Sequence, residues 1–167
     1  MLLDVSNSDV NFNIIVKFIK FIIICICLTY PLHAEVIKPN QSILPDQVVK
    51  IQLTGLMNNN SNLKDKGIVQ TWEFAHPKNR YFTGPYDKFK EMIKGESYNM
   101  LLNHLDHEIE EVFKNDEIAV YEVIIMDNDK NYYKFKWQVE KYIKNGPLKD
   151  CWLTTAVSQP IPLTDTA

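Results

Sequence analysis

The chain of 167 residues holds three cysteines, and two of them, Cys25 and Cys27, lie in a leading apolar segment. The remainder keeps Cys151 alone, so it has no partner for an intramolecular disulfide and must be held by a packed core. Glycine is scarce, at five residues. No Gly-rich phosphate loop occurs, and neither does a G-x-S-x-G elbow, an H-E-x-x-H pair or a Cys-His pair in sequence context. Positive charge is not in excess: 18 Lys and Arg against 21 Asp and Glu give a formal charge of -3. That balance leaves no electrostatic footprint for nucleic acid or an anionic membrane. The unbroken apolar run from Phe21 to Leu28 falls well short of the about 20 residues that span a bilayer.

What is present is the composition of an ordinary globular domain, 46% hydrophobic and 23% charged. Lys17 and Lys20, the apolar run, Pro31 and then Ala34 form the pattern of a secretory signal cleaved after Ala34. Export is therefore expected, to a periplasm or the exterior, or to a lumen in a eukaryotic host. A membrane enters only if this segment stays as an uncleaved anchor counted from Ile14, which requires burying Lys17 and Lys20. Neither Cys25 nor Cys27 follows the small residues that a lipid attachment site needs. Beyond the signal, the division is a flexible lead-in at 35–44, one α+β domain at 45–158 and a C-terminal tail at 159–167. A segment of that length suffices for one core.

Helical signals come first. "PDQVVKIQLTGLM" (45–57) places Val48, Ile51 and Leu56 near helical spacing, with Pro45 suited to a first turn and Asp46 to the positive helix end. "DKGIVQTWEFAHP" carries Ile68, Trp72 and Ala75 and should end before Pro77. "GPYDKFKEMIKG" makes a third helix, opened by Pro85, striped by Phe89, Met92 and Ile93 and stopped by Gly95. After Gly95 the period becomes alternating. "SYNMLL" is a short strand candidate, "LDHEIEEVF" places Leu105, Ile109 and Phe113 on one parity, and "EIAVYEVIIM" has the β-branched run of a central strand. In "YYKFKWQVEKYI", Tyr133, Phe135, Trp137 and Val139 face one way and Lys134, Lys136, Gln138 and Glu140 the other. "CWLTTAV" is the last strand. Helices followed by antiparallel strands predict an α+β fold, three N-terminal helices packed on one face of a curved sheet.

The long hairpin has a testable register. A three-residue loop, Asn128 to Lys130, sets Tyr121 opposite Trp137, Glu122 opposite Lys136 and Val123 opposite Phe135. This register gathers apolar residues on one face and opposite charges on the other, whereas a one-residue slip inverts the pattern. It asks Lys130 to take the left-handed position of the loop.

"IQL" (51–53), "FAHPKNRYFTGPYDKFKEMI" (74–93) and the Trp of "CWLTTAV" resemble the exported family called domain of unknown function 4864, over roughly residues 45 to 158. The resemblance implies a nuclear transport factor 2-like, cystatin-like α+β cone. The family has no assigned activity, so the resemblance implies a fold and a compartment but no mechanism.

Within "AHPKNRYFTGP", Pro77, Asn79 and Gly84-Pro85 serve the backbone, and Ala75, Phe82 and Phe89 are expected inside. His76, Lys78, Arg80 and Tyr81 have no such duty. Arg80 is a candidate to grip a carboxylate or phosphate, or to pair with Asp87 or Glu91. "NHLDHEIEE" gathers His104, Asp106, His107, Glu108, Glu110 and Glu111, but strand alternation sends His104 and His107 to opposite faces, so no metal is expected. A solvated acidic strand edge explains the cluster. Lysines and aromatics of "YYKFKW" alternate between faces and cannot grip one nucleic-acid strand. Cys151 beside a Trp is expected to be inert. Asn40 and Asn59 match N-x-S, which matters in a eukaryotic host.

The expected concave face carries Tyr121, Val123, Ile125, Phe135 and Trp137, while Trp152 and Thr154 share a parity at its mouth. These residues are either a ligand pocket or simply the core. Three functions follow: a non-enzymatic exported domain binding an apolar small molecule or a protein; an isomerase or lyase, which needs Glu122 or His104 inside the cavity; and a homodimer joined through the charged outer sheet face. The candidate ligand-binding residues are Arg80, Tyr81, Tyr121, Phe135, Trp137 and Trp152, with no catalytic residue, cofactor or metal assigned.

Overall fold

A computed structural model describes residues 35–59 and 65–163. The predicted signal, with Cys25 and Cys27, lies outside the described residues, as does the end of the tail. The described fold is α+β: helices α1 (Pro45–Met57), α2 (Lys66–Glu73), α3 (Pro77–Thr83) and α4 (Tyr86–Lys94), a 3-10 turn at Asn99–Leu101, and strands β1 (Asp106–Lys114), β2 (Ile118–Met126), β3 (Tyr132–Lys141), β4 (Trp152–Val157) and β5 (Ile161–Leu163). The strands form one antiparallel sheet in the order β1-β2-β3-β4, with β5 beside β4 along the same side of β3.

Helix α1 buries Val48, Val49, Gln52, Leu53 and Leu56, the i, i+4 pattern of one face. Its entry is held by the Gln47 side chain, which accepts from the Leu44 N–H at 2.8 Å. Gly55 lies where α1 meets α2: a Cβ on Gly67 would sit 2.0 Å from the Gly55 carbonyl oxygen. The helices therefore touch backbone to backbone, which only glycine permits. The Asn59 side chain then caps α2 from outside, its Oδ1 accepting from the Gly67 N–H (3.0 Å) and the Ile68 N–H (3.3 Å).

Four helices are present among the described residues, one more than expected. Helix α2 does end before Pro77, but Pro77 opens α3, because proline at a first helical position gives up no hydrogen bond. Phe82, expected inside, is 75% exposed on α3, while Ala75 and Phe89 are buried as expected. The "SYNMLL" segment is a 3-10 turn and not a strand. The lead-in is tied down: Gln70 exchanges hydrogen bonds with the Ile37 backbone (2.8 and 2.9 Å), and Lys38 pairs with Glu73. Part of the expected tail forms β5 against Tyr132–Lys134.

In the β2–β3 hairpin, Tyr121 opposes Trp137, Glu122 opposes Lys136 and Val123 opposes Phe135, the register of the three-residue loop. Lys130 takes the left-handed conformation (φ 64°). The Asp127 carboxylate compensates by accepting from the Asp129 and Asn131 N–H groups at 2.9 and 2.8 Å. Alternation along β1 fails in one place. A bulge between Glu111 and Phe113 makes Phe113 oppose Val120 on the outer face, whereas Ile109 opposes Val123 on the inner one. Phe113 is accordingly 51% exposed. A second bulge, at Thr155 of β4 facing the Gln138–Val139 step of β3, leaves Thr154 opposite Val139 and Val157 opposite Trp137.

The core lies between the inner sheet face and the helices, with Leu53, Leu56, Ile68, Phe74, Tyr121, Phe135 and Trp137 at 1% exposure or less. One polar cluster sits inside it. The Trp137 indole N–H donates to Gln52 Oε1 (3.1 Å) and Thr154 Oγ1 (3.3 Å), Thr154 Oγ1 donates to Gln52 Oε1 (2.6 Å), and Gln52 Nε2 donates to the Thr71 carbonyl (2.9 Å). Removing one member leaves buried partners unpaired, at a cost of about 1–3 kcal/mol. Gln52→Leu, though it raises apolar content, is therefore expected to destabilise the fold by about 2 kcal/mol. Urea unfolding should show a lower midpoint at unchanged slope; a raised midpoint would show that the cluster is not a constraint.

Candidate functional site

Among the described residues, the space between helices and sheet holds a cavity of about 80 Å³ bordered by Gln52, Thr71, Asn79, Tyr98, Trp137 and Thr154 together with apolar side chains. Ligand pockets generally run to about 300–1,000 Å³, so this one has room for a few water molecules at most. Its polar groups are already paired. Gln52, Thr154 and Trp137 satisfy one another, the Tyr98 hydroxyl reaches the Val157 carbonyl and accepts from Gln159 Nε2, and Asn79 Nδ2 donates to the Thr154 carbonyl. No carboxylate and no histidine lines it.

Of the expected ligand residues, Trp137 alone borders this cavity. Phe135 is wholly buried in the core, and so is Tyr121 at 1% exposure. The Tyr121 hydroxyl makes no hydrogen bond of good geometry among the described residues, although the Glu111 carboxylate stands beside it. Burial, with the Glu111 and Asp46 carboxylates close by, holds its phenol well above the usual range. Trp152 is buried at the far end of β4, with the Lys141 ammonium 5.2 Å from its ring centre. Tyr81 stands on the surface at 83% exposure. Arg80 meets neither Asp87 nor Glu91. Its guanidinium donates to the carbonyls of Trp72 (2.7 Å), Glu73 (3.1 Å) and Ala75 (3.0 Å) and lies over the Trp72 ring at 4.8 Å. It thus closes the C-terminal end of α2, where free carbonyls attract a cation.

Glu122 points to the outer face and pairs with Lys134 at 3.3 Å, so the inner face receives no carboxylate from β2. His104 is buried at 2% exposure but does not border the cavity. Its contact corrects the expectation from strand alternation: His104 Nε2 lies 2.8 Å from His107 Nδ1. The alternation does not apply, because β1 begins at Asp106 and Asn103 has already turned the chain with φ 59°. His104 Nδ1 meets the Leu101 carbonyl at 2.8 Å and must donate to it. His104 Nε2 is therefore the acceptor and His107 Nδ1 the donor. A first proton can add at His107 Nε2 without disturbing this chain, whereas a second has to break it.

A larger space lies outside the core. A groove of about 570 Å³ runs between the start of α3, the start of β2 and the end of β3, bordered by His76, Lys78, Glu117, Glu140, Tyr142 and Lys144 among others. His76 is fixed there. Its backbone N–H donates to the Thr154 carbonyl, its Nδ1 accepts from the Lys78 N–H at 3.0 Å, and its ring leans on Tyr142 at 5.4 Å. Nothing in the sequence assigned His76 a backbone duty or singled out Tyr142; only the fold brings residues 76, 117 and 142 together.

Comparison with known proteins yields nothing. No family model matches the chain, and no curated protein or solved structure is similar to it.

Burial is the main cause that pushes His76, His104 and His107 below the usual histidine range. Unfolding restores the ordinary value of about 6.5, so the unfolded chain binds more protons as the pH falls. The stability these groups contribute is complete above about pH 6.5 and declines as the pH drops toward their lower folded values. Urea midpoints at pH 7.5, 6.5 and 5.5 should decrease in that order, a series set around the ordinary histidine value of about 6.5. Nitrogen-15 spectra should show His104 protonated at Nδ1 throughout. A flat series would remove the buried pair from the account.

Proposed function

We propose that the chain is an exported, non-enzymatic binding domain built on a cone of the nuclear transport factor 2-like kind. The observation that carries the binding reading is the contrast between its two spaces. The interior one is small, internally paired and without a carboxylate or histidine. The outer groove has the volume of a ligand site and carries charged and aromatic side chains. The lysine-flanked apolar run before Ala34 supports export, and the resemblance of residues 74–93 supports the cone. Native mass spectrometry of the protein as its own host produces it is the test. A discrete extra mass that leaves on gentle activation is the expected result; a clean unliganded spectrum at every preparation counts against binding.

A second reading, a homodimer through the outer sheet face, is favoured by the arrangement of charge. Asp106, Glu108 and Glu110 lie on that face of β1, and Lys134 and Lys136 on β3. Between them β2 contributes Ile118, Val120, Ile124 and Met126 around Glu122, which pairs with Lys134 of its own chain. Strand β3 also carries Glu140, and Phe113 and Ile161 are exposed nearby. A two-fold axis parallel to the strands stacks acidic β1 on the basic β3 of a second copy, whereas an axis across the strands sets β1 on β1. Sedimentation should show a dimer that Lys134→Glu with Lys136→Glu separates. Adding Glu108→Lys and Glu110→Lys to the same chain should restore it. A wild-type monomer at every concentration would end this reading.

A further inference from the structure

The outer groove has a chemistry of its own. Three lysines, Lys78, Lys141 and Lys144, border it against two carboxylates, Glu117 and Glu140. None of the three lysines forms an ion pair among the described residues. Glu140 Oε1 accepts from Gln138 Nε2 at 2.7 Å, and its charge also acts on the His76 ring, opposing that of Lys78 and Lys144. Lys141 is held over the Trp152 ring, and its backbone N–H donates to the Glu117 carbonyl at 2.8 Å, fixing that wall of the groove. His76 adds a donor. Because its Nδ1 accepts from the Lys78 N–H, the neutral ring carries its hydrogen on Nε2, which has no acceptor among the described residues. Alongside these polar groups lie Ile118, Tyr142 and Ile143, and Ile143 is 70% exposed.

We propose that this groove binds an amphiphilic organic anion. Its carboxylate or phosphate head is taken by His76 Nε2–H and the ammonium groups of Lys78 and Lys144, and its apolar body lies along Tyr142 and Ile143. Charge complementarity selects the head group, since three lysines border the groove against two carboxylates. The exposed Ile143 selects an apolar body over a bare ion, because covering it removes apolar surface from water. The groove is a preformed site: Tyr142 is pinned by its N–H to the Cys151 carbonyl (2.9 Å) and by its carbonyl to the Asp150 N–H (2.7 Å), and Asp150 is locked in a left-handed turn (φ 64°). This deepens the reading of the chain as a binding domain and rests on it.

The test is a nitrogen-15 amide titration of the full-length protein with octanoate and, separately, octyl phosphate, with octylammonium and inorganic phosphate as controls. Saturable shifts confined to His76, Lys78, Tyr142, Ile143 and Lys144 are expected with the two anionic amphiphiles, and the stronger of them names the head group. Lys78→Glu with Lys144→Glu, both on the surface, should weaken binding at least about tenfold, in line with the loss of charge-assisted hydrogen bonds. Ile143→Ser should weaken octanoate and leave the amide spectrum otherwise unchanged. An equal response to octylammonium overturns the charge assignment, and an equal response to inorganic phosphate overturns the apolar one. Shifts that fail to saturate, or that map elsewhere, overturn the site. If the groove fails while a native-spectrum ligand persists, the binding reading survives without this site; if both fail, so does the reading.

Discussion

The fold depends on a polar cluster placed where an apolar one would be expected. Gln52 occupies the centre of the buried stripe of α1, between Val48, Val49, Leu53 and Leu56. A glutamine there is tolerable only if both ends of its amide are paired, and three separate segments provide the partners. Trp137 comes from β3, Thr154 from β4 and the Thr71 carbonyl from α2. Thr154 also joins the helical layer through its backbone, its N–H donating to the Phe74 carbonyl and its carbonyl accepting from the His76 N–H. The hydrophobic effect itself is non-directional and does not by itself set the register of α1 on the sheet. The amide geometry is directional, so the cluster fixes one packing arrangement.

Fixing the layers in this way closes the interior and moves the accessible chemistry outward. Trp137, which would otherwise offer its indole to a ligand, spends its single donor on Gln52 and Thr154. The same Thr154 anchors His76, and through it the start of α3, at the end of the sheet where the groove opens. The position of His76 beside the groove and the closure of the core are thus two results of one set of hydrogen bonds. Arg80 completes this junction by binding the carbonyls of Trp72, Glu73 and Ala75, so that the chain passes from α2 into α3 without leaving these acceptors orphaned.

Much of the fold was legible because its signals are periodic. The bounds of α1, the stop at Gly95 and the register of the β2–β3 hairpin all follow from apolar spacing and turn chemistry, and Lys130 accepts its left-handed position because Asp127 organises the loop around it. The misreadings arise where one residue changes the phase. Val112 is an extra residue in β1, so Phe113, in step with Ile109 by count, emerges on the opposite face. Asn103 turns the chain before β1 starts, and this brings His104 against His107 although alternation along a strand forbids it. Pro77 reads equally well as a stop and as a start, and the structure uses it as both. The groove was not legible at all: residues 76, 117 and 142 share no spacing, and only the pairing of β2 with β3 and the Ala75–Thr154 bridge make them neighbours.

The cap that Asn59 places on α2 bears on how the chain can be decorated. Asn40 and Asn59 both stand in N-x-S, yet only Asn40 is exposed. Asn59 is 9% exposed, and its Oδ1 is occupied by two backbone donors. A sugar attached to its amide nitrogen would leave no room for the side chain to stay inside, and the α1–α2 contact at Gly55 and Gly67 would lose the cap that sets the entry of α2. In a host with an oligosaccharide transferase, the two sequons therefore differ in consequence: Asn40 can carry a glycan on the finished domain, whereas Asn59 is available only before the helices meet.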